Sequence, residues 1–335
     1  MMQDSDRQAA VNVFVNQDGR NKKAPFGNMK KWVRALSLSA AIGALFMTAA
    51  PAARADIAVP VVIGGTWTTV SGSSIGQISP IVVGGQSNVN VIQGDGNLSQ
   101  TSSPLNLAFT SVQANSSVTV RVTYGTSNVA SISADSNILP YVSASVNSQG
   151  VLSVGLAPGN SYVLKNPVTV EVQTTNLNAL TALNAASVNA QGFFGNPAGT
   201  VTIDAETAGK INLDLQQQQI NNLTLKANAS GSFNVADIGN VNQISANLSA
   251  TGNGKISGNG PNASANITVT TAASFDSTGL PINSATVNAS TTAQALVNAR
   301  NVNATASLLG RIGYIGTPAS LQQSTSLGGT IYQIR

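Results

Sequence analysis

The chain has 335 residues, with 16 Lys or Arg against 12 Asp or Glu, a net charge of +4, and no cysteine or histidine. Those two missing residue types exclude disulfides, a Ser–His–Asp triad and the usual Cys/His metal sites. Charged residues make up only 8% of the chain, so the surface is expected to be polar and nearly neutral.

The charge is uneven along the chain. Residues 1–55 hold three acids and eight bases, a net of +5, and residues 56–335 hold nine acids and eight bases, a net of −1. The basic balance thus belongs to the leader, and the remainder lacks the electrostatic footprint of a nucleic-acid binder. In the leader, Lys30, Lys31 and Arg34 precede an apolar run from Ala35 to Ala50. Ala53-Arg54-Ala55 then offers a small-x-small cleavage site before Asp56, which reads as a cleaved signal peptide. A 16-residue run is short for a bilayer span. Met29 is an alternative start for this signal. Export to the periplasm, outer surface or medium is the expectation, with no transmembrane span after cleavage.

Residues 56–117 form a β-rich N-terminal segment or cap, with short apolar runs (Val59–Ile63, Ile81–Val83, Val89–Ile92) between Gly/Ser-rich turns. Residues 93–116 read as a Gly/Ser/Asn-rich loop. From Val118 the strand signal strengthens. Val118, Val120, Val122 and Tyr124 alternate with polar residues, and Val151–Leu156 and Val168–Val172 follow suit. Helical periodicity appears only in the signal.

Between about Val188 and Tyr314 a small residue recurs at Gly192, Gly209, Gly231, Gly252, Ala273, Ala293 and Gly310, spaced 17 to 22 apart. Strict alternation surrounds each, as in Leu223, Leu225, Ala227, Ala229, Gly231, Phe233 and Val235. A fixed period near 20 is the signature of a stacked solenoid. Strand reach adds geometry. A straight 13-residue strand would span about 40 Å, yet the eight residues from Ser257 to Ser264 can return only about 30 Å. Each rung must therefore bend, and the Gly/Ala column is the expected corner. These arguments predict an all-β parallel β-helix or β-solenoid of 17–22 residues per rung. Residues 56–116 and the tail from Pro318 to Arg335 are the candidate end caps.

Two segments carry a resemblance to a known family. Val118–Leu156 reads VTVRVTYGTSNVASISADSNILPYVSASVNSQGVLSVGL, and Gly310–Pro318 reads GRIGYIGTP. Together with Ser230-Gly231-Ser232 and Thr251-Gly252-Asn253-Gly254, they resemble the opening, closing and rung motifs of the auto-transporter adhesin, head GIN domain family of secreted bacterial proteins. Ala273 and Ala293 depart from its glycine pattern. The resemblance covers residues 118–335, implies a right-handed all-β solenoid in the cell envelope or outside the cell, and carries no catalytic residues.

Few side chains invite chemistry. Asp204 and Glu206 share one parity of the Val201–Leu213 strand, about 7 Å apart. Such a pair could cleave glycosidic bonds, but the simpler reading is two solvated charges beside Lys210. Gly94-Asp95-Gly96-Asn97 reads as a plain turn, since a single carboxylate is far from a calcium cage. Of Trp67, Tyr124, Tyr141, Tyr162 and Tyr314, Trp67 and Tyr162 are the candidate ligand contacts. No catalytic, cofactor-binding or metal residue is expected. The functional expectation is an exported, non-enzymatic β-solenoid serving as a cell-surface adhesin or a glycan- or surface-protein-binding module. The alternatives are a polysaccharide-active β-helix enzyme and a self-assembling envelope or matrix protein.

Overall fold

The computed structural model describes residues 90–192 and 199–334. The leader with its signal, Trp67 and the runs at 59–63 and 81–83 lie outside the described residues. What is described is a β-solenoid of stacked parallel coils, built as the alternation dictates: one parity of each strand faces the core and the other faces water.

In chain order the first strands are β1 (Asn90–Gln93), β2 (Leu98–Pro104), β3 (Ser111–Ala114), β4 (Thr119–Tyr124), β5 (Val129–Asp135), β6 (Val142–Val146) and β7 (Val151–Leu156). Next come β8 (Asn160–Val163), β9 (Thr169–Thr174), β10 (Ala179–Ala182) and β11 (Ser187–Gln191). β3 and β4 are the two arms of one rung, and the expected boundary at 117/118 falls in the corner joining them.

Stack order departs from chain order here. β7 and β9 pair in parallel with one edge of β3 and β4, while β10 and β11 pair with the other edge. The first rung in sequence is therefore second in the stack. Below it the strands turn antiparallel: β6 on β7, and β5 on β9 with β2 beyond. Leu105, Phe109 and Ile138 are buried at this end. β1 and β8 form a separate two-stranded parallel sheet.

Beyond this end the coil is regular. One sheet continues through β12 (Thr200–Glu206), β14 (Gln219–Asn228), β16 (Asn240–Leu248) and β18 (Gly260–Thr270). The other runs through β13 (Lys210–Asp214), β15 (Ser232–Ile238) and β17 (Asn253–Gly258). The long strands β19 (Ser274–Ser290) and β20 (Gln294–Ser307) each serve both sheets, with register shifts at their bends. β21 (Arg311–Ile315), β22 (Ser320–Thr325) and β23 (Thr330–Ile334) finish the stack.

The corner is a two-residue turn. In most rungs two consecutive residues take left-handed φ values, for example Ala229 (47°) and Ser230 (68°), Thr271 (54°) and Ala272 (61°), and Leu308 (48°) and Leu309 (66°). Gly231 N–H then donates to Asn228 C=O at 2.8 Å, closing a type I′ turn. The second turn residue also donates to the next rung, as Ser230 does to Ala250 C=O at 3.1 Å. Pairing therefore runs unbroken through the corner.

Gly209, Gly231, Gly252, Ala273, Ala293 and Gly310 all stand immediately after such a left-handed pair, and Ala186 and Gly329 extend the column at its two ends. Gly192 does not join it. It follows β11 with φ 127°, against the backbone of Tyr124. At Gly231 an added Cβ would lie 1.9 Å from Ala205 C=O in the rung below, so the corner passes where a side chain has no room.

Candidate functional site

The outward residues form columns because parallel rungs in register place equal positions above one another. On the first sheet one column reads Asn222, Gln243, Ser264, Ser284, and the next reads Thr224, Ser245, Asn266, Thr286. Between them point the inward Leu223, Ile244, Ala265 and Ala285. Two successive outward residues at 221–222 and 242–243 bend the strands, and the sheet beside the bend is a shallow open trough of about 780 Å³.

Neutral hydrogen-bonding groups line this trough. Ser264 Oγ and Ser284 Oγ are 3.1 Å apart, and Asn222 Nδ2 donates to Thr200 Oγ1 at 3.3 Å. Alongside, Asn242 Nδ2 donates to Asn221 Oδ1 at 2.9 Å. Such links along a column hold the side chains in place while leaving free donors and acceptors outward.

The second sheet carries a smaller trough of about 560 Å³. There Asn212 Nδ2 donates to Asn189 Oδ1 at 2.8 Å, and charges intrude through Arg121 and Asp214. Arg121 pairs with Glu171 at 3.2 Å, both ends largely exposed.

Asp204 and Glu206 lie on β12, both partly exposed and on the outward parity. Lys226, directly above Asp204 in the register, stands 4.0 Å from its Oδ2, so the partner is Lys226 rather than Lys210. Burial, reinforced by Glu206 and opposed by Lys226, pushes the Asp204 carboxyl above its ordinary value. Its Oδ1 is buried without a hydrogen-bond partner.

Tyr162 is half-buried. Its hydroxyl donates to Ala157 C=O at 2.9 Å, and its ring packs against Tyr141 with centroids 5.8 Å apart. That ring is part of the packing at the N-terminal end rather than an open stacking platform. Tyr124 is exposed at the end of β4, and Tyr314 is packed against the core.

Sequence reasoning missed Asp135, the most enclosed charge in the described residues. Fully buried at the end of β5, it accepts from Lys165 N–H (2.9 Å), Asn166 N–H (3.2 Å), Asn166 Nδ2 (2.6 Å) and Gly96 N–H (3.1 Å). Burial alone would raise its pKa, but these four donors together hold it below the usual carboxylate range. Gly94 lies so close that a Cβ there would meet Asp135 Oδ2 at 2.0 Å. The same knot holds Asp95, whose carboxylate accepts from Ser136 Oγ and from Asn97 N–H, lowering its pKa. The Ala134-Asp135-Ser136-Asn137 stretch lay within the family motif, and this was the available signal. Among the described residues no group of three acidic or other ligand side chains converges as a metal site.

A coil of parallel strands with an antiparallel end defines a β-solenoid. The family described as "Putative auto-transporter adhesin, head GIN domain" matches residues 108–318, and the chain belongs to that family. No curated protein matches it. Among solved structures, a "putative adhesin" from Parabacteroides merdae ATCC 43184 is similar at 19% identity and a TM-score of 0.64, over 74% of this chain and 100% of that one. A "putative adhesin" from Parabacteroides distasonis ATCC 8503 shares 19% identity, TM-score 0.64, over 73% and 100%. A "Putative lipid binding protein" from the same organism shares 18%, TM-score 0.62, over 73% and 100%. At these identities the likeness is one of fold.

Proposed function

We propose that this chain is an exported, non-enzymatic adhesin that holds extended neutral glycans against the trough of its first sheet. The observation carrying this reading is the pair of uncharged columns, Asn222–Gln243–Ser264–Ser284 and Thr224–Ser245–Asn266–Thr286. They repeat hydroxyl and amide groups at the rung spacing of about 4.8 Å, a ladder suited to a polymer that repeats its own hydroxyls. Each contact is weak, but a long chain engages many at once.

Asp204 is tied to Lys226, and Glu206 lies two residues on along the same strand. One feature favours surface contact over binding inside the coil. The enclosed apolar cavity lined by Leu177, Leu213, Leu215 and Ile220 measures about 10 Å³, room for a single water and not for an acyl chain.

Bacteria displaying the chain should adhere to a polysaccharide-coated surface, and soluble neutral polysaccharide should compete that adhesion away. Adhesion unaffected by any neutral competitor would sink the glycan reading. Protease accessibility on intact cells tests the surface location separately.

A further inference from the structure

The two ends of the solenoid are finished differently. At the N-terminal end the strands reverse, and the Asp135 knot ties the adjoining loops together. At the other end β22 and β23 simply continue the parallel ladder as one more rung. All six residues of β22 are exposed, and among the described residues β22 pairs only with β20.

Just past β22, Ser326 N–H donates to Ala306 C=O at 3.0 Å. Alternate residues of a parallel strand bond to opposite neighbours, so the N–H groups of Gln322 and Ser324 face β20 and those of Leu321, Gln323 and Thr325 face the free edge. Natural edges of this kind are guarded by lysine, proline or a bulge. Here residues 319–334 contain no charge and no proline. The last two corners, moreover, replace the Ser, Thr, Ala and Asn of the other turns with Leu308, Leu309 and Leu327, all in left-handed conformation. Leu309 is 59% and Leu327 73% exposed. Leucine gains nothing in a left-handed turn, and side chains so placed are costly unless something covers them.

We propose that this end docks a second copy of the chain, β22 against β22 in antiparallel register about a twofold axis near Gln322 and Gln323. The edge is neutral, so two identical edges meet without like-charge repulsion. The twofold opposes each Gln322 amide to its own counterpart, a self-complementary contact, and brings Leu321 and the corner leucines beneath the partner. The reversed, knotted N-terminal end presents no matching parallel rung, which makes the closed pair the expected assembly and an open filament the contrary one.

Sedimentation equilibrium on the exported, purified chain tests this. The expected result is a reversible monomer–dimer equilibrium that stops at two. Gln323→Pro removes an edge donor without touching the β20 ladder, and Gln322→Lys places like charges across the axis. Both should weaken dimerisation at least about tenfold while leaving Tm unchanged at concentrations where the wild-type chain is monomeric. Asn247→Lys, on the outward face of β16, should dimerise normally. A wild-type chain that stays monomeric across the micromolar range or grows without limit, or one that dimerises no better than Gln323→Pro and Gln322→Lys, overturns the proposal.

Discussion

Phe233 and Phe275 lean together across a missing side chain. Their ring centroids are 6.3 Å apart at 56°, although they belong to rungs two apart, because the residue between them in the register is Gly254. A Cβ on Gly254 would lie 2.2 Å from Phe233 Cζ. The glycine thus gives its place in the core to the ring below.

Gly254→Val should overpack this column and destabilise the chain by about 1–3 kcal/mol, read as a lower midpoint in urea. Pairing it with Phe233→Ala should recover part of the loss, because the valine then fills the vacated space. The two substitutions should be clearly non-additive. Strict additivity would mean that the two positions do not share one volume.

The corners make opposite predictions at neighbouring positions. Gly231→Ala should destabilise, since its Cβ meets the Ala205 carbonyl and the two rungs must part. Replacing Thr271-Ala272 by Asn-Gly should stabilise by about 1 kcal/mol, because both positions require positive φ and that dipeptide adopts it most readily. Thermal unfolding of the two variants should move in opposite directions.

These corners also mark how far the sequence was legible. Alternation and strand reach gave the parallel coil and most of its corner column, because burial parity is written directly in the order of residues. The left-handed pairs were hidden, since Ala229-Ser230 and Leu308-Leu309 carry no turn chemistry of their own and are held there by pairing with the next rung. Gly192 shared the spacing but not the place: a period of 17 to 22 accommodates a glycine from another turn. The order of β3, β7 and β10 in the stack was equally invisible, being set by long-range pairing among similar Val-rich strands. The trough appeared only once the register aligned its columns.

Asp135 predicts an acid-sensitive end. Its folded pKa is depressed, so the unfolded chain binds more protons as pH falls. The stabilisation it supplies is complete above the unfolded value of about 3.9 and is lost as pH drops through the folded one. Hydrogen exchange should show β5 and the loops at 94–97 and 165–166 opening first in acid, with β14 to β20 still protected, since a solenoid's rungs depend mainly on their neighbours. Asp135→Asn should show the same local opening at neutral pH.

Asp204 predicts the reverse sign. Its raised folded pKa means that stability falls as pH climbs from the unfolded value through the folded one. Asp204→Asn should flatten that slope and leave the chain at least as stable at pH 7. The double variant Asp204→Asn with Glu206→Gln should keep glycan binding, whereas loss of a hydrolytic product would point to catalysis.

The trough is tested most directly by measuring the affinity of the exported chain for a panel of neutral polysaccharides, alongside Ser245→Trp in the trough and Asn234→Trp on the second sheet. Binding should be nearly independent of salt, because no ion pair carries it. It should fall at least about tenfold in Ser245→Trp and stay unchanged in Asn234→Trp. Equal binding by all three proteins, or binding lost only in Asn234→Trp, would contradict the assignment of function to this face.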